Sequence, residues 1–250
     1  MLFGHNFAED SNNNLAATEP QKLRELQDRF MAEAAKYNVL PLDDRFAQRA
    51  DPNLHPSHIR GKTQFVYAPG TVRLGERSAP NTKNVHHTLA AEVEIPQGGA
   101  EGVLVCCGGI SGGFSLFIKD GKLHWEHNYY NEVHYRASST ETIPPGHHVL
   151  SAEVKVDKQG KFGTGGAVTL RLGKKAIGEG RFEQQVAGYF TVNETFDVGC
   201  DTVSPVSDQY ESPFAFTGEI IKVMVDVSEA TFEELAEQHE ARARLAMATQ

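Results

Sequence analysis

The side chains here that could do chemistry are histidines, a serine inside a glycine run, clustered acids and clustered aromatics. There are 11 histidines, among them His86-His87, His147-His148, His55/His58 and His124/His127. A metal ion needs ligands that converge, whereas neighbours and i,i+3 residues on a strand point to opposite faces. These pairs are therefore poor chelators and read as surface or half-buried histidines. The run Gly108–Gly113 holds Ser111 but matches neither G-x-S-x-G nor a phosphate loop. It reads as close backbone packing or, through Ser111, as a loop that a ligand can approach. Asp197, Asp201 and Asp208 surround a Gly-Cys-Asp-Thr-Val-Ser-Pro stretch. Such oxygen-rich loops either form Asx turns or hold calcium, here near Asp197 and Asp201. Trp125, Tyr129, Tyr130 and Tyr135 fall in one short stretch, and sugars stack on rings of this kind, although sandwiches also bury them. The three cysteines, Cys106, Cys107 and Cys200, have neither disulfide-framework nor zinc spacing and read as buried small hydrophobes. No catalytic or metal-ligating set emerges.

One hairpin must position most of these groups. Asp120-Gly121 is a type I′ turn signal that pairs Lys119 with Lys122 and Phe117 with His124. A two-residue turn at Tyr130-Asn131 would then pair Tyr129 with Glu132 and His127 with His134. Alternation puts Phe114, Leu116, Ile118, Leu123, Trp125, His127, His134 and Arg136 on one face, assigned to the core. Phe117, His124, Glu126, Asn128, Val133 and Tyr135 fall on the other, expected to be open. The expected ligand-binding residues are accordingly His124, Glu126, Asn128 and Tyr135, with Ser111.

Around the hairpin the texture is β from about 63 to 227. Candidate strands are Gln64–Tyr67, His86–Ile95, Val103–Cys107, Gly113–Lys119, Lys122–Tyr129, Val133–Ser138, His148–Val156, Ala167–Leu172, Lys175–Glu183 and Phe214–Val227. Short strands separated by Gly, Pro, Asn or Asp predict a mainly β, antiparallel sandwich. Residues 1–62 read as a helix followed by an extended connector. In that helix Thr18 and Gln21 have capping-box spacing, and Leu23, Leu26, Phe30, Ala34 and Tyr37 form one stripe. Residues 228–250 read as a second, charged helix.

The chain has 250 residues, enough for one large β domain. Its net charge of −9 disfavours phosphate backbones, so nucleic acid is not an expected partner. No apolar run reaches the length of a membrane span. The start lacks a signal-peptide pattern, which would make the protein cytoplasmic if Met1 is the natural start.

Several strings, in order, resemble the C-terminal region of bacterial arylsulfatases: Asp10–Ala17 with Lys22–Leu26, Tyr37–Arg45, Gly108–Leu116, Pro144–His147, Phe196–Asp201, Pro213–Gly218 and Ala241–Ala248. The resemblance implies a concanavalin- or laminin-G-like jelly roll. For the whole protein it implies sulfate-ester hydrolysis. The formylglycine motif C/S-x-P-x-R is missing from this chain, so no catalytic residue carries over. The expected role is thus a non-catalytic region packing on a sulfatase catalytic domain in cis or in trans, with homo-oligomerisation through the helix stripe. The alternative is a carbohydrate-binding module that takes a polysaccharide. An independent hydrolase would need a facing pair of acids, and the sequence supplies none that can be recognised.

Overall fold

A computed structural model describes residues 15–42, 45 and 57–228. The chain divides into two units, Met1–Ala50 and Asp51–Gln250. The expected C-terminal helix and most of the connector lie outside the described residues.

In the first unit, helix α1 spans Pro20–Lys36, with proline in its opening turn, where a missing N–H costs nothing. The capping box does not form. Glu19 holds the cap position without a side-chain bond, and the Thr18 hydroxyl turns back to the Leu15 carbonyl at 3.2 Å. Of the apolar stripe, Ala34 is buried while Leu26, Phe30 and Tyr37 are exposed.

Among its described residues the second unit is mainly β, with twelve strands in two antiparallel sheets. In chain order they are β1 (Gln64–Tyr67), β2 (Leu74–Gly75), β3 (His87–Ile95), β4 (Gly102–Gly109), β5 (Gly112–Lys119), β6 (Lys122–Tyr129), β7 (Val133–Ser138), β8 (Gly146–Val156), β9 (Gly166–Leu172), β10 (Lys175–Phe182), β11 (Thr195–Val198) and β12 (Glu219–Asp226). One sheet runs β1-β12-β3-β8-β9-β10 and the other β2-β11-β4-β5-β6-β7. The ten expected strands are present, β1, β6 and β7 with the expected bounds and the rest with shifted ends, the largest shift being the late start of β12. The short β2 and β11 were not expected. Each has too few residues to show alternation.

The core lies between the sheets, where alternation sends Leu89, Leu104, Leu116, Leu123, Leu150, Leu170 and Phe182 inward. It also takes in polar groups. Trp125, His87, His127 and Thr82 line a cavity of about 10 Å³, and the Trp125 indole N–H has no hydrogen-bond partner among the described residues. Burial pushes His87 down to about 4, and the nearby charges of His86 and Lys83 add to this against its bond to the Val85 carbonyl. Burial pushes His127 down to about 3, helped by the charges of His87, Lys83 and His134. Lys83 itself is buried, paired with buried Glu76 at 2.5 Å. The two sheets meet along a seam where β10 crosses β7. A Cβ on Gly178 would stand 2.4 Å from the Ser138 carbonyl oxygen, so the backbones touch there.

Candidate functional site

The Asp120-Gly121 turn forms as expected. Both residues have positive φ (51° and 70°), and Lys119 faces Lys122. The turn after β6 differs. Its loop is three residues, Tyr130 to Glu132, and Tyr129 pairs with Val133. Tyr130 and Asn131 are both left-handed, at φ 53° and 58°. One extra loop residue slides β7 by one position and exchanges its faces. His134 and Arg136 therefore leave the core side and join Glu126, with Glu126 opposite Arg136 and Asn128 opposite His134. Tyr135 moves the other way and packs on the core beside His127, their rings 6.5 Å apart. The expected His127/His134 pair does not form, and Tyr135 is not on the outer face where it was expected.

The outer face of β4, β5 and β6 is not open either. Residues 199–217 return across it as a closed loop, fastened by the Phe216 amide on the Gly199 carbonyl and the Val103 amide on the Phe214 carbonyl. Val206, Tyr210 and Phe214 pack on Val103, Cys106 and Phe117 as a second apolar cluster. Beneath this cover a polar row crosses the sheet: Asp197, Cys106, Ser115, Glu126 and Arg136, one from each of β11, β4, β5, β6 and β7.

Glu126 is the hub of that row. It is 0% exposed, and a buried carboxylate is tolerated only when paired and hydrogen-bonded. Oε1 accepts from His134 Nδ1 at 2.6 Å. Oε2 accepts from Arg136 Nε at 2.9 Å, the Ser207 hydroxyl at 2.6 Å and Gln209 Nε2 at 3.3 Å. His134 Nδ1 donates to the carboxylate, and its other nitrogen, Nε2, lies at a long 3.4 Å from Asn131 Oδ1, a contact in which Nε2 is the donor. Arg136 Nη2 also binds Asp208 of the cover. Burial alone would lower the Arg136 pKa, but the bond and charge of Glu126, with Asp208, outweigh it and raise it. At the surface this leaves Arg136, 37% exposed, and Asp208, 61% exposed, as a fixed pair with His134 beside them. Among the described residues Arg136 Nη1 and Asp208 Oδ2 carry no hydrogen bond.

The other expected residues do structural work. Asn128 is buried and clamps three carbonyls, those of Gly109, Ile110 and Val206, while its oxygen takes the Asn131 amide. His124 is half-buried, stacked on Phe117 and bonded to Ser138 and the Lys119 carbonyl. Ser111 is exposed at the β4–β5 turn, where the glycines serve close approach. A Cβ on Gly108 would lie 2.1 Å from the Gly112 oxygen. Of the residues that complete the site, Asp208 reads from sequence only as one of three loop acids and His134 only as a core-face histidine, while Ser207 and Gln209 are missed. Alternation puts Arg136 on the core face, where a lone arginine lacks a partner, and that is the available signal.

Calcium near Asp197 and Asp201 fits poorly. Asp197 already accepts from the Arg73 amide at 2.5 Å, both donors of Thr202 and the Thr195 hydroxyl. The third group whose ligand atom lies within 4.8 Å is the Cys106 thiol, a soft ligand unsuited to calcium. Asp201 accepts from the Val206 amide and the Tyr210 hydroxyl. Burial first, then the charges of Asp197 and Glu194, push it up to about 6. Glycosidase chemistry is equally poorly served at the hub, because Glu126 is sealed from any substrate and only Asp208 faces solvent.

No protein-family model and no curated protein matches the sequence. Solved structures with a related arrangement include the carbohydrate-binding module of a Ruminococcus gnavus sialidase bound to α2,3-sialyllactose, at 16% identity and a TM-score of 0.42 over 70% of this chain and 95% of that one. Others are mouse laminin α1 domains LG4-5 (14% identity, TM-score 0.38, 63% of this chain and 42% of that one) and a Limulus polyphemus pentraxin (14%, 0.37, 70% and 80%).

Proposed function

We propose that this chain is a carbohydrate-binding module on a concanavalin- or laminin-G-like sandwich, and that it binds a polysaccharide at the surface pair Arg136–Asp208. The observation that carries this reading is the fully buried Glu126, which fixes Arg136 and His134 from beneath. Sugar hydroxyls each donate and accept, so a rigid donor beside a rigid acceptor binds them with little ordering cost. Arg136 Nη1 supplies the donor and Asp208 Oδ2 the acceptor. Tyr130, 45% exposed in the adjoining turn and packed edge-on against Tyr129, offers a ring to a second sugar unit.

The test is a glycan array with wild type and Arg136→Lys. Lysine keeps a cation for Glu126 but loses the planar fork. The expected result is binding by wild type and a loss of about tenfold in the variant. No binding by wild type to any glycan overturns the reading.

A second reading makes the chain the accessory region of an arylsulfatase-like protein. It is favoured by Leu26, Phe30 and Tyr37 standing exposed on α1, a stripe that needs a partner. Co-elution with a sulfatase catalytic body, abolished by Phe30→Glu, is the expected result on that reading. Separate elution of the two proteins counts against it.

A further inference from the structure

We infer that the Arg136–Asp208 site selects neutral, hydroxyl-rich sugars and rejects sulfated, sialylated and uronate-bearing ones. The inference rests on the carbohydrate reading above.

Two features support it. The first is geometric. Arginine grips a carboxylate or sulfate through two parallel N–H bonds. In Arg136 the Nε and Nη2 edge that would do this is already occupied, Nε by Glu126 and Nη2 by Asp208, with a long 3.5 Å contact from Nη2 to Glu126 as well. Only Nη1 is left, and it faces a ligand as a single donor group rather than a fork. One donor suits a hydroxyl or a ring oxygen.

The second is charge. Arg136 sits between two carboxylates, Glu126 below and Asp208 above, so its charge is already matched, and His134 is taken up by the other oxygen of Glu126. The adjoining turn adds exposed Glu132. Lys119 reaches the same cover, but at the backbone carbonyl of Gln209 and from the Asp-Gly end of the hairpin. An anionic substituent approaching Nη1 would meet the free oxygen of Asp208, whereas a neutral sugar with adjacent hydroxyls can give one proton to Asp208 and accept one from Arg136.

The experiment compares matched glycans, each neutral oligosaccharide beside its sialylated, sulfated and uronate counterparts, at one pH and ionic strength. Three proteins are used: wild type, Asp208→Asn and Asp208→Glu. Asp208 is exposed, so neither change threatens folding, and thermal melting checks this. The expected result is that wild type binds neutral members over anionic ones. Asp208→Asn should raise the anionic signal about fivefold, and Asp208→Glu should keep the wild-type preference. Wild type preferring the anionic members overturns the selectivity and leaves the carbohydrate reading standing. An Asp208→Asn variant with no gain on anionic glycans also overturns it. Silence from every glycan with all three proteins removes the carbohydrate reading itself.

Discussion

Glu126→Ala is expected to cost about 3–5 kcal/mol of folding stability, measured by urea unfolding at neutral pH. The carboxylate is fully buried and is the shared acceptor for Arg136, His134, Ser207 and Gln209. Removing it strands four donors and leaves a half-buried guanidinium with only Asp208. Glu126→Gln should lose almost as much, because the new amide N–H₂ points donors at donors. Two of the four partners belong to the 199–217 cover, so the loss should also loosen the cover. Faster amide exchange at Val206 and Gln209 would report that. A loss below about 1 kcal/mol would show that the cover and β7 hold without this anchor.

Acid should destabilise the fold by a comparable amount. His87 and His127 are buried neutral, with folded pKa values near 4 and 3 against about 6.5 in an unfolded chain. Lowered folded values mean that the unfolded chain takes the protons. The stability they lend is complete above about pH 6.5 and falls as pH drops toward the folded values. Integrated separately, the two amount to roughly 3 and 5 kcal/mol. Asp201 works the other way. Its folded value is raised from 3.8 to about 6, so the stability it lends is present at low pH and lost as pH rises through 6. Between about pH 6 and 4 the unfolded chain therefore holds two extra protons and the folded chain one. These three groups together give a slope of about 1.4 kcal/mol per pH unit, with stability falling toward acid. Urea unfolding at several pH values between 7 and 4.5 measures it. His127→Gln should flatten the curve, while a flat or inverted wild-type profile would contradict the burial of neutral imidazoles.

Much of the frame could be read from the residues, and the site could not. Lys122–Tyr129 and Val133–Ser138 were legible because alternation and turn residues bound them on both sides. The face of β7 was not, since a two-residue and a three-residue loop both suit Tyr130-Asn131, and a single residue decides whether Arg136 points at the core or at Glu126. The cover was invisible for a different reason. Its Gly, Ser, Pro and Asp residues carry no period, and the pairing of Tyr210 with Ser115 spans 95 positions of sequence. Alternation places Glu126 on the outer face of β6, but that face is covered and the side chain is buried. What it touches depends on that distant loop.

The seam between β10 and β7 bears on how the protein behaves at high concentration. Two sheets have four outer strands, and any bare outer strand is a template on which another chain can add. Here two of the four lie against each other, with Gly178 and Gly180 letting the backbones close. The remaining two are β1, four residues long, and β2, two residues long. Edges that short give an incoming strand few backbone groups to pair with. The sandwich is thereby protected against strand-by-strand aggregation, and self-association would have to use side-chain surfaces instead.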